Sequence, residues 1–165
     1  MQHVQTRSTT SALVLTAVLI ALATLFTMYT KIPVPGIRGY FNVGDVVIMT
    51  SALLLGRKYG AYIGAIGPAL ADLFLGYAVF VPITFVVKGI EGYLVGTVYN
   101  HKTTTSALVA TILGGIIIVA GYFIAEYFVF DPGVAIASIL MNAIQAVMSV
   151  IISMILYAIL RRRLV

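Results

Sequence analysis

The sequence contains no cysteine and no tryptophan, and its 165 residues include only 5 acids and 2 histidines. Without cysteine there are no disulfides, thiolate metal sites or cysteine nucleophiles. His3 and His101 both fall in polar flanking segments, so neither a metal site nor a cofactor is expected. Charge is equally scarce. Charged residues make up 9% of the chain, hydrophobic residues 61%, and the mean hydropathy is +1.09. A soluble domain carries about 25% charged residues and about 45–50% apolar ones. A chain this poor in polar side chains cannot cover itself with a water-facing surface, so lipid must be its solvent. Catalytic signatures are missing as well. Gly-x-x-x-x-Gly-Lys-[Ser/Thr], His-Glu-x-x-His and Gly-x-Ser-x-Gly do not occur. No ATP hydrolysis through a P-loop is expected, and no enzyme activity.

What the chain does have is a set of long apolar runs separated by bases. Six spans are predicted, at about 11–29, 43–55, 59–76, 79–99, 107–128 and 134–160, forming one membrane domain over residues 1–165. Lys31-Ile-Pro-Val-Pro-Gly stops the first run, Gly56-Arg57-Lys58 the second, and Asp131-Pro132-Gly133 separates the last two. The second span is short and carries Asp45. No small-residue cleavage site follows the first span, which is therefore read as retained. With six spans, Arg7, Arg57, Lys58, Lys102 and Arg161 to Arg163 share one side, and Lys31 and Arg38 share the other. The positive-inside rule makes both termini cytoplasmic and leaves Glu126 and Asp131 at the outer side. The pI near 9.6 therefore reflects topology signals. The bases form no nucleic-acid-binding face.

Within the apolar runs, polar groups are concentrated. Lys88 and Glu91 lie three apart near the middle of the fourth span, where a charge costs about 2.5–3.5 kcal/mol on insertion scales. Asn142 and Gln145 lie three apart in the sixth, and Asp72 near the outer end of the third. At about 1.5 Å rise per residue, all five fall between the outer side and the midplane. Two readings fit Lys88 and Glu91, an ion pair that neutralises itself or a pair that also contacts a ligand. Asn142 and Gln145 fit either interhelical hydrogen bonding or ligand contact. The loop from Lys31 to Asn42 carries Arg38, Tyr40 and Phe41. Its aromatics suit either stacking over a planar ligand or anchoring at the interface. Asn42 and Asp45 read as a helix N-cap with an acid in the first turn. Small residues follow helical spacing too: Ala17 and Ala21 on the first helix, and Gly89, Gly92 and Gly96 on the fourth, where they suit packing against another helix of the chain.

Taken together, several segments resemble the substrate-binding S components of energy-coupling factor (ECF) transporters, the vitamin importers of prokaryotes. They are Ala17-Val-Leu-Ile-Ala21, Gly39-Tyr-Phe-Asn-Val-Gly-Asp45, Gly67-Pro-Ala-Leu-Ala-Asp-Leu-Phe-Leu-Gly76 and Lys88-Gly-Ile-Glu-Gly-Tyr-Leu-Val-Gly96. The resemblance spans nearly the whole chain and implies an all-α membrane protein in the prokaryotic plasma membrane. It implies a first loop that gates an outward pocket, with Arg38, Tyr40, Asn42, Asp72, Lys88, Glu91, Asn142 and Gln145 as candidate ligand contacts. It further implies that Ala17 and Ala21 pack against a membrane coupling (T) subunit driven by two cytoplasmic ATPases. The similarity is greatest to members handling hydroxymethylpyrimidine or vitamin B6 compounds, with riboflavin, pantothenate and thiamine as other candidate ligands. Two other classes compete with this reading. A small stand-alone secondary transporter or channel would work without ATP or partners, although no inverted repeat is evident. A membrane enzyme would need Glu91 and Asp72 as acid and base, without any accompanying nucleophile.

Overall fold

A computed structural model describes residues 9–33, 38–100 and 103–164. His3, Arg7, His101, Lys102 and loop positions 34–37 lie outside the described residues, as do the side chains of Arg162 and Arg163. Six helices follow in order: α1 (Thr9–Tyr29), α2 (Asp45–Leu55), α3 (Arg57–Phe74), α4 (Phe80–Val98), α5 (Thr104–Val129) and α6 (Pro132–Leu164). Between α1 and α2 the chain forms a small antiparallel hairpin, β1 (Ile32–Pro33) with β2 (Tyr40–Phe41), pairing Ile32 with Phe41 and Pro33 with Tyr40.

Four of the helices carry segments long and apolar enough to cross a bilayer: Thr10–Tyr29, Phe80–Val98, Thr104–Val129 and Pro132–Arg161. Their outer faces are apolar, with Val18, Phe85, Ile116, Ile136 and Ile155 all exposed. This belt is what lipid, rather than water, would cover. The protein is a membrane protein. α2 differs in kind. Its 11 residues rise about 16 Å, short of the roughly 30 Å hydrocarbon layer. Asp45 through Leu53 are buried without a break, because α1, α3, α4 and α6 all pack around it. A helix enclosed by protein need not match the lipid in length or in polarity.

Glycine sets the two tightest features of the fold. Gly56, at φ +90°, is the single residue between α2 and α3, and its left-handed backbone folds α3 back beside α2. Where α3 crosses α4, Gly64 faces the Lys88 carbonyl, and Gly60 and Gly92 face each other's carbonyls. A methyl group at any of the three would collide with backbone. The glycines of α4 thus pack against α3 of the same chain, in line with the expectation from their spacing. α1 is tied to α3 by the Thr24 hydroxyl, which donates to the Gly67 carbonyl at 2.9 Å.

Candidate functional site

Polar side chains of α1, α3, α4, α5 and α6 converge on a small cavity of about 40 Å³ beneath the β-hairpin loop. On its floor lies a charged network. The Lys88 ammonium is hydrogen-bonded to Asp45 Oδ1, and Gln145 Nε2 donates to Asp45 Oδ2 at 2.7 Å. Glu91 Oε2 is 3.5 Å from Lys88 Nζ, on the same helix. All four side chains are buried, Glu91 and Asp45 at 0% exposure. Gln145 also accepts from the Asn42 backbone N–H at 3.0 Å, joining α6 to the loop.

This arrangement corrects the reading of Asn42 as the N-cap of α2, while Asp45 does lie in the first turn of that helix. The N-cap position of α2 is Gly44, and no side chain caps it. Asn42 Oδ1 instead accepts from the Gly44 N–H at 2.9 Å, a local turn that holds the end of the loop. Asp45 faces the bundle centre and is the principal partner of Lys88. The Lys88–Glu91 pair is accordingly one arm of a three-member cluster.

The roof is held by Tyr40. Its hydroxyl donates to Asp72 Oδ1 at 2.6 Å, and its ring lies 4.9 Å from that of Tyr77. Lys31 Nζ sits 4.7 Å from the centre of the Tyr77 ring. Burial, reinforced by the nearby Asp72 carboxylate, pushes the Tyr40 phenol above its ordinary value, so it remains a hydrogen-bond donor. Arg38 lies outside the cavity lining, over the Phe130 ring at 5.0 Å. The cavity wall brings together Tyr40, Asn42, Asp72, Lys88, Asn142 and Gln145. Glu91 lies beneath it.

Several wall residues were not anticipated. Glu126, expected at the outer side, is 3% exposed and lines the cavity beside Ser138. Tyr122 and Thr84 join α5 to α4 through their hydroxyls at 2.9 Å. A polar residue five positions inside the Asp131-Pro132-Gly133 break was the available signal for Glu126.

Residues 7–162 match the family described as ECF-type riboflavin transporter, S component. A Pyrococcus woesei protein described as "Uncharacterized protein in gap 3'region" is 41% identical over 144 residues, covering 86% of this chain and 95% of its own. The thiamine precursor transporter HmpT of Lactococcus lactis subsp. cremoris is 29% identical over 148 residues, covering 89% of this chain and 83% of its own. Among solved structures, the S component of a bacterial ECF transporter superposes with a TM-score of 0.71 at 21% identity, covering 92% of this chain and 96% of that one. The S component for biotin from an ECF-type ABC transporter gives 0.60 at 20% identity, covering 91% and 94%. The chain belongs to the S-component family of ECF-type transporters. It is the substrate-binding subunit of a transporter and not an enzyme.

Proposed function

We propose that this chain captures a vitamin or vitamin precursor, of the hydroxymethylpyrimidine or vitamin B6 type, from outside a prokaryotic cell. Delivery inward is coupled to a membrane T subunit and two cytoplasmic ATPases. The carrying observation is the set of polar side chains gathered around the cavity beneath the hairpin loop, in a chain of this family. Six crossings as one membrane domain, with cytoplasmic termini, fit the distribution of bases. α1, α4, α5 and α6 meet the lipid, α3 crosses beside them, and α2 crosses inside the bundle.

In this reading Tyr40 and Asn42 close the outer entrance, and Arg38 attends its rim. Asp72 and Asn142 offer a donor–acceptor set to a heteroaromatic ring. Lys88, Glu91 and Gln145 form a polar floor around Asp45. The ring class is supported by the relative named as a thiamine precursor transporter and by the polar wall. Riboflavin, which the family description names, is the leading other ligand, ahead of thiamine and pantothenate. Ala17 and Ala21 are both exposed on α1, as a contact surface for the T subunit requires.

The test is uptake in liposomes. Import should require ATP, the T subunit and both ATPases, whereas uptake by this chain alone on a proton or sodium gradient would identify a stand-alone transporter. Ala21→Trp should abolish assembly and uptake while ligand binding by the isolated chain persists.

A further inference from the structure

The hydrogen-bonding groups that face the cavity are unevenly spent. Most of its donors are already engaged, Lys88 and Gln145 by Asp45 and Tyr40 by Asp72 Oδ1, while the neutral Thr27 hydroxyl and Asn142 amide stay available. Tyr122 and Thr84 are engaged with each other. The acceptors are not. Asp72 Oδ2 and Glu126 Oε2 are both buried without a hydrogen-bond partner, on side chains that are each 3% exposed and that line the cavity. The hydroxyl groups of Thr84 and Tyr40 are what Asp72 faces, and that of Ser138 is what Glu126 faces. No cation stands opposite either oxygen among the described lining residues except Lys88, which lies between Asp45 and Glu91. The cations of the loop, Lys31 and Arg38, lie over aromatic faces outside the lining.

A buried acceptor left without a donor is costly, and a guest that supplies the donor recovers that cost. An anionic guest would instead add charge beside two carboxylates already short of partners. We propose that Asp72 and Glu126 determine specificity by receiving amino or protonated ring N–H groups of the ligand. The chain thereby selects neutral or cationic amine-bearing heteroaromatics over their carboxylate and phosphate forms. The inference rests on the reading of this cavity as the ligand site. Asp72 has a second part in it. One of its oxygens holds the roof through Tyr40 while the other is open to the guest, so a single carboxylate joins ligand contact to the closed loop.

A near-isosteric ligand series separates charge from shape. Pyridoxamine, pyridoxine and pyridoxic acid present an ammonium, a hydroxyl and a carboxylate at the same ring position. Calorimetric titration of the full chain in nanodiscs is expected to rank them in that order, with pyridoxic acid weaker than pyridoxamine by about a hundredfold. Glu126→Gln should lower pyridoxamine affinity about tenfold and narrow the gap to pyridoxic acid. The ligand ranking on the unaltered chain stands even if a variant fails to fold. If pyridoxic acid binds as tightly as pyridoxamine, the specificity proposal falls while vitamin capture stands. If neither these three compounds nor hydroxymethylpyrimidine, thiamine or riboflavin binds, the cavity reading falls and the specificity proposal with it.

Discussion

Lys88, 1% exposed, shares its charge with two buried carboxylates. Removing one member of a buried ion cluster leaves an uncompensated charge and costs about 3–5 kcal/mol. Lys88→Met should therefore lower thermal stability in detergent by an amount in that range, measured as loss of the folded, monodisperse fraction on heating. Lys88→Met combined with Asp45→Asn should recover part of the loss. The Tyr40 hydroxyl is a different kind of contact, a single bond to a carboxylate worth about 1.5–3 kcal/mol. Tyr40→Phe is expected to speed ligand release roughly tenfold or more in a chase experiment, with little change in stability. Because the closed loop holds the Tyr40 proton more tightly than the open one does, the closed form is favoured in full below the ordinary tyrosine value of 10.0 and loses ground as pH rises above it. Ligand retention should thus be flat from about pH 6 to 9 and fall in stronger alkali. Counting residues along a helix put Lys88, Glu91, Asn142 and Gln145 at similar levels, and the structure brings Lys88, Asn142 and Gln145 to one cavity wall with Glu91 beside Lys88. It did not reveal the part played by Asp45, whose place at a helix start already had a sufficient local explanation. Glu126 was missed for a related reason. Which way it turns is decided by the packing of α5 against α4 and α6, not by its position along the chain.

Among the elements, the α3–α4 pair sets the frame of the site, because its close crossing fixes where Asp72 and Lys88 sit. The glycines permit that approach, and a methyl at Gly64 would meet the Lys88 carbonyl. Gly64→Ala should separate the two helices and cost about 1–3 kcal/mol, visible as a lower melting temperature together with weaker ligand binding. Gly89→Ala, which meets only the Ala65 side chain at 3.1 Å and backbone farther off, should do much less. The glycine spacing on α4 was readable as a face for packing against another helix of the chain, and the structure identifies that helix as α3. α2 was the hardest element to read. A short apolar run is ambiguous between a span and a core helix, and α2 is enclosed by the other helices. The hairpin of two-residue strands was not anticipated, because Pro33 and Pro35 suggest only a stiff turn.

For the whole molecule, apolar side chains cover the outer faces while polar side chains gather around the cavity beneath the hairpin loop. Ala17 and Ala21 are exposed on α1, so under the proposed function bulk at either position should disrupt assembly with the T subunit and spare the cavity. The class was legible because lipid leaves few alternatives to a helix bundle, while ligand chemistry depends on side-chain orientations that only packing decides. The most direct test is equilibrium titration of hydroxymethylpyrimidine and pyridoxine against the purified chain in nanodiscs, beside Asn142→Ala and Ala21→Trp. Saturable one-site binding, weakened about tenfold or more by Asn142→Ala and unchanged by Ala21→Trp, is the expected result. Absence of binding by every vitamin tried, or binding indifferent to Asn142→Ala, would contradict the assignment of the cavity as the capture site.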